Sequence, residues 1–199
     1  MKARIAKGIR AITVPPVLVS AALVLLYGTY GSDFASVPML VCAIFFLGLM
    51  PLLAYPLAAL WQRRSGNETV GASLRDKQRR LAFMLNLAGY GMGAIVGWLF
   101  HCTAMMAGVL SGYLIGAVLL TIFNKGFHIK ASGHACSGVM AYLLLGYWLG
   151  LKAFLVCIPL YICEFWASIF LKRHTSKEFL WGTGIAVLSF FTQWMLYLL

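Results

Sequence analysis

The sequence predicts an all-α integral membrane protein, a bundle of six to seven transmembrane helices formed by residues 1–199 as a single domain. Three observations lead there. Hydrophobic residues make up 62% of the chain and charged residues only 11%, a balance too apolar for a globular fold to bury. The apolar residues gather in runs close to the roughly 20 that a helix needs to cross a bilayer core. The 16 lysines and arginines are concentrated in the gaps between alternate runs, and such bias in short loops sets membrane orientation.

The basic start MKARIAKGIR lacks the short apolar core and small-residue cleavage site of a signal peptide, so it reads as retained. The apolar runs then cover 12–30, 37–61, 81–101, 103–123, 135–151, 153–171 and 179–199. Connections at 31–36, around Cys102 and around Lys152 are minimal, whereas 62–80, 124–134 and 172–178 carry nearly all the polar residues. Alternation places the N-terminus and the three polar loops on one side, with the minimal turns and the C-terminus on the other. Of the 16 basic residues, only Lys152 falls on that other side. The polar loops are therefore expected in the cytoplasm and the C-terminus outside. The net charge of +11 then records topology, and no nucleic-acid partner is expected.

Within the runs, Gly89, Gly93, Gly97 and Gly108, Gly112, Gly116 form two ladders spaced by four, as expected where helices pack closely in lipid. The five cysteines have no C-x-x-C or Cys/His spacing and read as small hydrophobes, with neither metal nor cofactor expected. Asn67-Glu68-Thr69 fits a glycosylation sequon, but a cytoplasmic loop would leave it unused.

Three polar clusters stand at helix starts. In ASLRDKQRRLAF (72–83), Ser73 and Asp76 read as an N-cap and its partner, and Lys77 and Arg80 can share a helix face. Such a cluster also fits lipid headgroups. In HIKASGHACSG (128–138), Ser132 can cap a helix, Gly133 permits close backbone approach, and Lys130 adds charge beside a helix N-terminus suited to anions. His134 falls in that first turn. In KRHTSKEFLWG (172–182), His174 and Glu178 are four apart, which allows a carboxylate to hold one imidazole tautomer. The alternative is a capping box between Thr175 and Glu178. Glu164 is the only carboxylate well inside a run, and it shares a face with Ser168.

Two histidines at two helix starts, with cations from a third loop on the same side, are the parts for phosphoryl transfer through a phosphohistidine. These residues resemble the type 2 phosphatidic acid phosphatase superfamily of integral membrane lipid phosphatases, over about residues 72–185. RDKQRR looks like a shortened first motif, KASGHA (130–135) is similar to the Lys-x-Ser-x-His-Ala second motif of one bacterial and archaeal branch, which implies a bacterial or archaeal plasma membrane, and HTSKE followed by Gly182 fits the end of the third. The resemblance implies His174 as nucleophile, Glu178 as its orienting carboxylate and His134 as general acid. It implies Lys77, Arg80, Lys130, Ser132 and Gly133 as phosphate ligands, with Arg173 as a further candidate. The family's third motif has an arginine six residues before the nucleophile, and here that position is Ser168. The expected activity is metal-independent hydrolysis of a lipid phosphate or diphosphate. A non-catalytic or transport member that binds or flips phospholipid headgroups, and a lipid phosphotransferase, are the alternatives. Glu164 and Ser168 are possible pocket residues, and the partners expected are the lipid substrate and the bilayer.

Overall fold

In the computed structural model the described residues are 1–64 and 72–198, with the side chains of 62–64, 72–77, 79 and 196–198 excepted. They form helices joined by short turns, with no strand among them: α1 Lys2–Ile12, α2 Pro15–Tyr30, α3 Val37–Ala43, α4 Met50–Leu52, α5 Ala54–Arg64, α6 Ala72–Leu99, α7 Ala104–Thr121, α8 Gly133–Leu149, α9 Leu151–Phe170 and α10 Ser176–Leu198. Five stretches, Pro15–Asp33, Val37–Trp61, Arg80–Leu99, Ala104–Gly126 and Leu151–Phe170, are long and apolar enough to cross a membrane. The chain is on this ground a membrane protein.

The expected first run at 12–30 divides. Thr13 closes α1 with its amide on the Ile9 carbonyl, and Val14 is extended because it precedes Pro15, so α2 starts as a separate helix. The second run holds as one rod from α3 to α5. It is widened by a π-helical turn at Ile44–Leu49, next to Pro51, whose missing amide leaves a carbonyl of the preceding turn unbonded. The third extends further back than the apolar pattern, to Ala72, which puts Ser73 inside the first turn and not at the cap. Ser73 and Asp76 keep no described side-chain role, because those side chains lie outside the described residues.

Helix α8 sits centrally, packed by α2, α7, α9 and α10. Its inward residues Met140 and Leu144 join Leu23, Leu26, Leu47, Met106 and Leu110 in the main core. The glycine ladders are contact surfaces. A Cβ on Gly89 would stand 2.6 Å from the Phe46 carbonyl oxygen, one on Gly97 2.6 Å from Leu110, and one on Gly112 2.8 Å from Gln193. At Gly89 only hydrogen fits, so α6 approaches the π-helical turn at backbone distance, whereas at Gly97 and Gly112 the close neighbours are side-chain ends.

Candidate functional site

The helices bring together the end of α1, the start of α2, α4 and the start of α5, the middle of α6, the end of α7, the start of α8 and the α9–α10 turn. A cavity of about 750 Å³ lies among them. Its polar lining includes Arg10, Arg80, Asn86, Asn124, Lys125, His134 and His174, and its apolar lining includes Val14, Pro16, Pro51, Phe83 and Met84. His134 and His174, 40 residues apart in sequence, thus reach one chamber, and the charges of Arg10 and His174 both act on His134.

Local helix geometry builds the two histidine-bearing turns. Ser132 caps α8 by accepting the Ala135 amide at 3.2 Å, which leaves Gly133 and His134 as the first turn. Thr175 and Glu178 form a reciprocal capping box, each amide donating to the other's side chain at 3.2 Å. The same Glu178 Oε2 lies 3.3 Å from His174 Nδ1. The two readings of this segment are therefore compatible, because one carboxylate oxygen serves both cap and imidazole.

The turns are also bolted together. The Ser132 amide donates to the Glu178 carbonyl at 2.9 Å. Gly182, nearly two turns into α10, lies so close to the Ser132 carbonyl oxygen that a Cβ would collide with it. Asn124 clamps the intervening loop, donating to the Leu120 carbonyl at 2.8 Å and accepting the Ala131 amide at 3.0 Å.

Several residues expected at phosphate have other tasks. Lys130 forms an ion pair with Glu178 Oε1 at 2.8 Å and does not line the cavity; it steadies the carboxylate that holds His174. The Ser132 hydroxyl is fully buried in its cap, and Arg173 is exposed away from the cavity. Arg80 and Gly133 do line it. The Lys77 side chain lies outside the described residues. Glu164 is 1% exposed and faces His134 from behind, with its Oε1 3.4 Å from His134 Nε2. Ser168, also buried, accepts a hydrogen bond from Arg10 Nη1 at 3.1 Å.

Arg10, Asn86, Asn124 and Lys125 are among the polar cavity residues that sequence reasoning missed. Arg10 had one usable signal: α1 carries four cations, Lys2, Arg4, Lys7 and Arg10. Lys125 had none, since its ammonium stands 5.6 Å over the Phe83 ring, a contact between helices far apart in the chain.

Burial pushes the Glu178 carboxyl up, but hydrogen bonds from Lys130, the Thr175 amide and His174, with the charge of Lys130, outweigh it and hold the group below its ordinary value. A carboxyl depressed on folding stabilises the fold above its unfolded pKa and loses that contribution as pH falls through the folded one. Lys130→Met should therefore make thermal stability decline at a higher pH on acidification than in the wild type. Melting curves across the acid range check this, and superimposable pH profiles would show that the pair is idle.

Compared with known proteins, the chain matches no family model, no curated protein and no solved structure. The fold and site define an all-helical membrane protein with a cation-lined, two-histidine cavity at one end of the bundle.

Proposed function

We propose that this protein is a membrane-embedded phosphatase that hydrolyses a lipid phosphomonoester or diphosphate through a phosphohistidine. The bundle then has seven spans, with α8 and α10 completing the five, and the cavity opens to the cytoplasmic leaflet as the positive-inside count requires. One observation carries the reading: two imidazoles from separate helix starts reach one cavity whose cations come from three other segments and whose remaining lining is largely apolar. About 750 Å³ is the scale of a pocket for a drug-sized molecule, much more than one phosphate group fills. A lining that combines cations with apolar side chains suits an amphiphile such as phosphatidate, phosphatidylglycerophosphate or a polyprenyl phosphate.

In this mechanism Glu178 holds a proton on Nδ1 of His174, so the lone pair sits on Nε2 and attacks phosphorus. The P–O bond to the lipid breaks as His134 gives a proton to the departing oxygen. Arg10, Arg80 and Lys125 balance the equatorial oxygens, with the first amides of α8 beside them. Water, deprotonated by His134, then cleaves the P–N bond and releases phosphate.

Arg10 supplies the guanidinium that Ser168 does not, held in place by the serine hydroxyl. Charge-assisted hydrogen bonds of this kind contribute about 1.5–3 kcal/mol. Arg10→Ala should therefore lower kcat/KM by roughly 10- to 150-fold, and Arg10→Lys should restore little, since an ammonium does not reproduce the planar fork. The reading itself is tested by assaying purified protein for phosphate release from a panel of these lipids. Saturable binding without release would identify a headgroup-binding protein, and product transfer to an added alcohol would identify a phosphotransferase.

A further inference from the structure

Glu164 lies in the membrane-spanning part of α9, 1% exposed. Carboxylates are rare at such depth and need partners there. Two face it. The Tyr142 hydroxyl donates to Oε2 at 3.0 Å, and His134 Nε2 stands 3.4 Å from Oε1. Both Nε2 and Oε1 are buried and make no other hydrogen bond among the described residues. Leaving two such atoms unpaired is costly, and their mutual approach is the one available compensation.

The space for this approach is built into α8. Gly138 follows His134 by four residues, on the same helix face, and a Cβ there would stand 3.1 Å from both carboxylate oxygens. Helix α8 is bare where the carboxylate lies against it, between the histidine one turn before and the tyrosine one turn after. The charged and titratable groups acting on this cluster are Arg10 from α1, His174 from the α9–α10 turn, and Cys157 and Cys163 on α9 itself.

We infer that Glu164 is the positioning residue of His134: its carboxylate accepts a hydrogen bond from Nε2–H, Tyr142 anchors its other oxygen, and the ring is turned so that Nδ1 serves the cavity. This rests on the phosphatase reading for its chemistry. With substrate bound, His134 is an imidazolium whose Nε2–H is held by the Glu164 carboxylate. The Nδ1 proton passes to the leaving oxygen as the P–O bond breaks, and the neutral ring keeps its Nε2–H on Glu164. In the second half-reaction Nδ1 takes a proton from the attacking water and the imidazolium returns. Each of the two histidines is thus backed by its own carboxylate, one from a capping turn and one from within the membrane.

The test has one arm that needs no turnover. Protein labelled with ¹⁵N at histidine is titrated by NMR in micelles, with His134→Ala to assign the His134 signals. The expected wild-type ring is the Nε2-protonated tautomer at high pH. Glu164→Gln should abolish that preference and lower the His134 titration midpoint by about one unit or more, the effect of losing an opposite charge at this range. Gly138→Ala, which displaces the carboxylate without altering its chemistry, should shift both in the same direction by less. In the second arm, with dioctanoyl phosphatidate as substrate, Glu164→Gln should reduce kcat on the order of 10- to 100-fold with KM little changed, and move one limb of the pH–kcat profile. If the wild type hydrolyses lipid while Glu164→Gln leaves tautomer, midpoint and pH profile as they were, the inference fails and the phosphatase reading stands. If the coupling is seen by NMR but no lipid phosphate is hydrolysed, the phosphatase reading fails and the Glu164–His134 pair survives it.

Discussion

Substitution of His174 by alanine is expected to reduce phosphate release by on the order of 10⁴-fold or more, the effect of deleting a nucleophile that no neighbour can replace. Its ring reaches the cavity from the α9–α10 turn, with Nδ1 held 3.3 Å from Glu178 Oε2. A retained turnover within about tenfold of the wild type would rule out a covalent role. The decisive companion is chemical. Protein quenched in alkali during turnover of ³²P-labelled lipid should carry phosphate that is stable to base and released by acid, and His174→Ala should carry none. His134→Ala should also be severely impaired, because it supplies and removes the proton in both half-reactions. If His174→Ala and His134→Ala both match the wild type, the cavity is not a catalytic centre.

Gly182→Ala is expected to be the most damaging single methyl in the chain. The added carbon meets the Ser132 carbonyl oxygen, a backbone atom that cannot rotate away, and stands 3.0 Å from the Ala135 Cβ. Forcing α8 and α10 apart also stretches the hydrogen bond from the Ser132 amide to the Glu178 carbonyl, the bond that fixes one histidine turn against the other. Overpacking a close contact costs about 1–3 kcal/mol, which lowers the melting temperature by roughly 2–12 °C in a chain of this size. Activity should fall further than stability, since a small displacement between the two rings spoils the geometry of attack. Gly184→Ala is the control, because nothing lies within 4 Å of its added carbon. Equal melting temperatures and equal turnover for the two variants would show that α8 and α10 are not held at backbone distance.

How much of this was legible in the sequence follows the range of each interaction. The histidine–carboxylate pairing of His174 and Glu178 was readable because a helical turn places residues four apart side by side whatever the rest of the protein does. The Ser132 cap and the glycine ladders were readable for the same local reason. Lys130 was misplaced from sequence: it carries the right charge in the right loop, yet it goes to Glu178 because the two turns are joined through Ser132, a contact spanning more than 40 residues.

What the sequence by itself determined is the set of apolar helices, the side bias of the cations and the local chemistry of each helix start. Those follow from hydropathy, helix periodicity and capping, all of which act within a few residues. The tertiary structure alone decided that Arg10 meets Ser168 across 158 residues of chain, that Lys125 turns into the cavity, and that Glu164 stands behind His134 in the space left by Gly138. Such contacts depend on which helix faces are pressed together. That is settled by the packing of small and large residues over the whole bundle, and no periodicity along one segment encodes it.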